Sequence, residues 1–184
     1  MKNSYISKKD DVIKGRCLIL AEIVNAIKKI YKSSNNNQRA FIETIIGAAI
    51  WYIPKPKDFW SGMISINTLK DALKNFKEDK KFKLSEEHKI PRKYAAKELL
   101  IYKNKLTLEY VKKEYELKYC KLHYVTSKEN KDAILYQKNF DGDSEKVYKN
   151  AGIQLIKINK EILKLIKQGN IECIEKLINS HNCT

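Results

Sequence analysis

Glycine and proline are scarce in this chain, with 6 Gly and 3 Pro among 184 residues. A sandwich or barrel of many short strands needs a turn every few residues, so this shortage favours helices. Cysteine pairs are missing too. Cys17, Cys120, Cys173 and Cys183 contain no C-x-x-C, which argues against treble-clef and ribbon zinc sites. The C-x-x-H spacing of Cys120 and His123 has no second ligand pair to accompany it. No apolar run is long enough to span a bilayer. The longest, from Ala40 to Ile53, is short and contains Glu43. The opening residues Met1 to Asp11 are polar throughout, unlike a secretory signal. Reduced thiols in a cytoplasm, with no membrane partner, are the expectation.

Acidic residues are also outnumbered. Against 22 Asp+Glu stand 37 Lys+Arg, a formal charge of +15. The excess is spread along the chain, with no single basic tail, and Lys greatly outnumbers Arg. Such a surface favours polyanionic partners, nucleic acid before anionic membrane. A lysine- and asparagine-rich composition is also what an AT-rich genome produces. With hydrophobic residues at 43%, the chain can bury a core of its own.

Ile13, Cys17, Leu20, Val24, Ile27 and Tyr31 recur at steps of three and four, predicting an amphipathic helix over Lys9 to Lys32. Arg39 to Tyr52 is apolar nearly all round and predicts a central buried helix, stopped by Pro54 and Pro56. Phe59-Trp60-Ser61-Gly62 reads as a turn, with Trp60 plugging the core. Ser65 is placed to cap a helix carrying Leu69, Leu73 and Phe76. The charged run Lys77 to Lys83 marks the expected boundary between a helical region, 1–80, and a second region, 81–184.

In that second region Leu84 to Ile90 is the first candidate strand. Pro91 suits the start of a helix bearing Tyr94, Ala95, Leu99 and Leu100, and Thr107 opens another. Cys120 to Val125 has the aromatic and branched residues of a strand. Thr126-Ser127-Lys128-Glu129 reads as a capping box, which gives Glu129 a structural task. Asn130 follows one residue later. Asp141-Gly142-Asp143 lacks the remaining ligands of a calcium loop. Ser144 is placed to cap a short helix ending at Gly152. Asn159 to Lys167 and Asn170 to Ser180 predict two further helices, and the partial ankyrin-like run at Gly169 to Leu177 has no second copy to stack on.

Glu87-His88-Lys89-Ile90-Pro91-Arg92, followed by the strand-to-helix run Tyr124 to Asn130, resembles the HNH-type or ββα-metal nucleases over about residues 84–138. Tyr148 with Ala151-Gly152-Ile153 resembles small restriction-type members. About 30 residues of helical insertion between the two strands depart from the compact form of that motif. The resemblance implies an α+β fold, mostly helical, carrying a small β-hairpin and a helix. It implies His88 as general base, Glu87 and Asn130 as ligands of Mg²⁺ or Mn²⁺, and Arg92 on a phosphate. Lys93, Lys121 and Lys128 would join Arg92 in contacting nucleic acid, DNA before RNA. The expected activity is endonucleolytic cleavage, as in restriction or phage defence. Double-strand cleavage from one site per chain would call for a homodimer.

The chemistry suits these residue types. A neutral imidazole takes the proton of an attacking water. Carboxylate and amide oxygens are the hard ligands Mg²⁺ prefers, and Arg offers phosphate a planar fork. His123 is the alternative base. The same charge also fits a non-catalytic nucleic-acid-binding protein, and a protein-interaction role as an inhibitor or immunity partner stands beside both. His181, near the end of the sequence, is read as inert.

Overall fold

The computed structural model describes residues 2–137 and 140–181, with side chains from Lys8 onward. Cys183 lies outside the described residues. The fold is α+β and predominantly helical. Its strands join in one four-stranded sheet of order β2-β3-β1-β4, made of β1 (Trp60–Ser65), β2 (Ser85–His88), β3 (Leu122–Val125) and β4 (Leu155–Lys157). No helix among the described residues is long and apolar enough to cross a membrane.

Two compact units divide the chain, and each is assembled from two stretches of sequence. The first takes residues 1–59 and 88–121, the second 60–87 and 122–184. The chain crosses between them after Phe59, Glu87 and Lys121.

The first unit is helical: α1 (Lys2–Ser33), α2 (Asn36–Trp51), α4 (Arg92–Ile101) and α5 (Leu108–Glu114), which runs on into a π-helical turn, Tyr115–Tyr119. The α1 stripe packs inward as its spacing predicts. Ile13, Cys17, Leu20, Val24 and Tyr31 are buried, and Ile27 is half-buried. Asn35 caps α2 with a capping box completed by Gln38. Asn25 pins the approach to α5 by exchanging two 2.9 Å hydrogen bonds with the backbone of Leu106. The Tyr115 hydroxyl donates to the Ile53 carbonyl at 2.8 Å. Burial pushes the Cys17 and Cys120 thiols up to about 11.

α2 is not buried all round. Ile46, Gly47 and Ile50 face inward, while Phe41, Ile45, Trp51 and Tyr52 are exposed. A hydrophobic run alone cannot say how many sides a helix buries, because that depends on how many neighbours arrive. Here α4 and α1 supply them.

Gly47 sets how closely α4 can come. A Cβ at this position would lie 3.1 Å from the backbone C and O of Arg92. Gly47→Leu is expected to overpack this contact and destabilise the protein by about 1–3 kcal/mol, measured by urea denaturation. An unchanged midpoint would show that the contact gives way freely.

In the second unit, the sheet is covered by α3 (Ile66–Lys77), α6 (Ser127–Tyr136), α7 (Ser144–Asn150), α8 (Lys160–Lys167) and α9 (Ile171–His181). β1 runs parallel to β3 and antiparallel to β4. The main core gathers Ile64, Leu69, Tyr124, Ile156, Ile166 and Ile174, with Trp60 packed against it. A smaller cluster holds Val125, Ala133, Val147, Tyr148 and Ile153. Trp60-Ser61-Gly62 begins β1 and does not form the expected turn. The positive φ of Gly62, 88°, sits within the strand. Asp143, rather than Ser144, caps α7, accepting from the backbone of Glu145 and Lys146.

Candidate functional site

In the first unit the expected catalytic residues gather on one aromatic side chain. Trp51 ends α2 and is 48% exposed. The His88 imidazole lies 4.2 Å from the indole, centroid to centroid, at 43°. The Arg92 guanidinium sits 4.5 Å from the indole centroid, within the range of a cation–π contact. Each position has a local cause. β2 ends at His88, Pro91 forces an extended step with φ −57° and ψ 136°, and Arg92 then begins α4. The Pro91 carbonyl accepts the first intrahelical bond from Ala95 at 3.0 Å. Gly47, one turn before Trp51, lets the Arg92 backbone rest on α2. An exposed indole with a permanent cation and a titratable ring against it can stack on a base and hold the adjoining phosphate.

Glu87 is placed differently. Its side chain is buried in the second unit, and Gln137 donates to its Oε1 at 2.8 Å. Asn130 is half-buried in the first turn of α6. Seven residues separate Asn130 from Gln137, about 10 Å along a helix axis. The carboxylate is held by Gln137, two turns along the helix from Asn130. Among the described residues no three His, Cys, Asp or Glu side chains form a group that could hold a metal.

Glu129, beside Asn130, has the structural task its capping box predicts. It accepts from the Thr126 N–H at 2.8 Å. It also accepts from the Ser65 hydroxyl at 2.6 Å and the Asn67 amide at 2.9 Å. The start of α6 is thereby tied to the start of α3.

A second polar cluster, not anticipated as a group, surrounds His123 on β3. The residue is only 3% exposed, and its Nδ1 lies 2.6 Å from the Ser61 hydroxyl on β1. That hydroxyl also accepts from the Met63 N–H at 3.2 Å, and its second lone pair and its proton let it serve either tautomer of the imidazole. The Tyr148 ring meets the imidazole edge-on at 5.0 Å. Its buried hydroxyl has no hydrogen-bond partner among the described residues. Burial, and next the Glu87 carboxylate, hold the phenol well above its ordinary range. Strand alternation pointed to His123, but reading Ser61 as part of a turn hid its partner.

The expected phosphate contacts fall in both units, Arg92, Lys93 and Lys121 in the first and Lys128 in the second. Arg92 and Lys93 are exposed at the start of α4. Lys121 is half-buried, and its ammonium donates to the Asp58 carbonyl at 2.5 Å. Lys128 is exposed in the first turn of α6, on the wall of a cavity of about 680 Å³ that Lys70, Asp71 and Asp132 also line. Comparison with family models, curated proteins and solved structures gives no match for this chain.

Proposed function

We propose that this protein binds nucleic acid on the Trp51 platform and cleaves its phosphodiester backbone, with His88 as the general base. One observation carries the reading: His88 and Arg92 both lie against the same half-exposed indole. The indole supplies a stacking face for a base. The guanidinium supplies a charged fork for the neighbouring phosphate, and the imidazole a group to take the proton of the attacking water. The formal charge of +15 draws a polyanion to the surface. DNA is the proposed substrate and Mg²⁺ or Mn²⁺ the proposed cation. Glu87 and Asn130 are the residues proposed to hold that ion, offering it a carboxylate and an amide oxygen.

Trp51→Ala is expected to weaken binding to a short single-stranded oligonucleotide by about 1–3 kcal/mol, the usual worth of one stacked base. Fluorescence anisotropy would read it. Affinity equal to that of the parent protein would remove the platform.

Arg92→Ala is expected to reduce the salt slope of binding by about one unit. Lys28 serves as the distant control, since its ammonium is committed to the Tyr102 and Asn104 carbonyls. Equal slopes for the two variants would mean attraction by net charge alone.

A second reading, binding without cleavage, is favoured by one specific fact. The Glu87 carboxylate is already engaged by Gln137. Metal-dependent cleavage separates the two readings.

A further inference from the structure

We infer that the outward faces of α1 and α2 form the interface of an antiparallel homodimer, a surface the cleavage reading does not use. Val12, Ile19, Ile23 and Ile30 on α1, with Phe41, Ile45 and the C-cap Tyr52 on α2, are each between 42% and 71% exposed. Apolar side chains scattered singly over a surface are ordinary, but these are ordered. Val12, Ile19, Ile23, Ala26 and Ile30 recur at steps of three, four and seven, the spacing of a coiled-coil seam. They leave the buried stripe of Cys17, Leu20 and Val24 on another side of the same helix. Tyr31 bonds to Glu43 near one end of the helix pair, and Arg16, in the seam, donates to the Tyr52 carbonyl at the other. So α2 runs back along α1, and the two faces adjoin.

A second copy of this chain fits the face because the seam reads the same in both directions. Val12 and Ile30 lie equally far from its midpoint, and so do Ile19 and Ile23. On α2, Phe41 and Tyr52 are paired about a midpoint that Ile45 and Ala48 share. A two-fold axis across the helices therefore sets Val12 against the partner's Ile30 and Ile19 against the partner's Ile23. That is the self-complementarity an isologous contact requires.

Charge selects the antiparallel arrangement. Asp11 and Lys29 are exposed a whole number of turns apart, on one flank of the seam. Antiparallel pairing brings each Asp11 opposite the partner's Lys29, whereas parallel pairing would set like charges together. Glu22, on the same flank near the axis, meets its own counterpart in either arrangement and does not decide between them.

Gly15 supplies the close approach. A mid-helix glycine costs helix stability relative to alanine, and a Cβ there would meet nothing in the described chain within 4 Å. The fold gives no reason for it. A second helix does, because Gly15 falls opposite the partner's Ala26, and small side chains shorten the distance between axes. Size agrees as well. The seam is about 27 Å long and two helices are about 20 Å across. The pair of faces then buries roughly 1,000 Å², where specific interfaces begin.

Sedimentation equilibrium of the full chain at micromolar concentration is expected to give twice the mass of one chain. Ile19→Lys/Ile23→Lys, which places like charges at the axis, is expected to weaken dimerisation at least tenfold. Its circular dichroism should match the parent, because both side chains are exposed. Gly15→Gln is expected to weaken the dimer too, with no loss of helix. In a Cys173→Ser/Cys183→Ser background, an oxidised mixture of Val12→Cys and Ile30→Cys proteins is expected to yield a cross-linked dimer that neither forms alone. A monomeric parent, whether or not it binds phosphatidylserine vesicles, would overturn the inference. So would a dimer unaffected by the Ile19→Lys/Ile23→Lys substitutions, or Ile30→Cys protein that cross-links with itself. The readouts are mass and cross-linking, so failure of the cleavage reading leaves them unchanged.

Discussion

Replacing His88 with alanine is expected to lower phosphodiester cleavage by about 10²–10⁴-fold while leaving nucleic-acid affinity close to that of the parent protein. A general base acts chiefly in the chemical step, so its loss falls on turnover and not on binding. The platform permits this separation. Removing the imidazole leaves the Trp51 indole and the Arg92 guanidinium, which are 4.5 Å apart, to hold the strand.

His123→Ala is the informative contrast. That ring is buried and bonded to Ser61, so its loss is expected to cost about 1–3 kcal/mol of stability. If folded His123→Ala protein lost cleavage and His88→Ala kept it, the base would belong to β3. Single-turnover cleavage beside a binding titration reads both outcomes.

Glu129→Ala is expected to destabilise the protein by about 1–3 kcal/mol. The carboxylate is 5% exposed and accepts three hydrogen bonds, from the Thr126 backbone, the Ser65 hydroxyl and the Asn67 amide. Truncation would remove this acceptor from the junction of α3 and α6, although exposed Asn67 can turn to water and the Ser65 hydroxyl to Thr68 Oγ1 at 2.9 Å. Buried donors left unsatisfied cost about 1–3 kcal/mol each, less wherever water replaces the lost partner. Glu129→Gln should cost less, because the amide oxygen still accepts while the NH₂ group meets donors. Urea denaturation of the two variants measures the order. Equal loss from both would mean that charge, and not the bonding pattern, is what the site requires.

Glu129 also marks how far local sequence reaches. Thr126-x-x-Glu129 specifies its own geometry, since the capping box closes within four residues. The bonds from Ser65 and Asn67 come from more than 60 residues away, and no local pattern contains them. The α1 stripe was legible for the same local reason, as were the caps at Ser65 and Thr107. β1 was not. Trp60-Ser61-Gly62 carries turn residues, and it becomes a strand because β3 and β4 pair with it from far along the chain. β4 has only three residues and too little pattern to register.

The candidate site divides along the same line. Ile90-Pro91 locally fixes the step that carries the chain from His88 to Arg92, so the nearness of those two residues has a local cause. Trp51 as their common support, and Gln137 as the partner of Glu87, depend on tertiary placement. The two-part organisation was hidden because each unit is drawn from two separated stretches of chain. The charged run at Lys77 to Lys83 resembles a linker in composition but lies inside the second unit.

Incubation of the purified protein with supercoiled plasmid, in Mg²⁺, in Mn²⁺ and in EDTA, tests the central claim most directly. Nicked and linear products in either metal, absent in EDTA and reduced at least a hundredfold by His88→Ala, are the predicted result. A shift in plasmid mobility that weakens with salt, with the plasmid intact in all three conditions, would contradict catalysis and leave a binding protein.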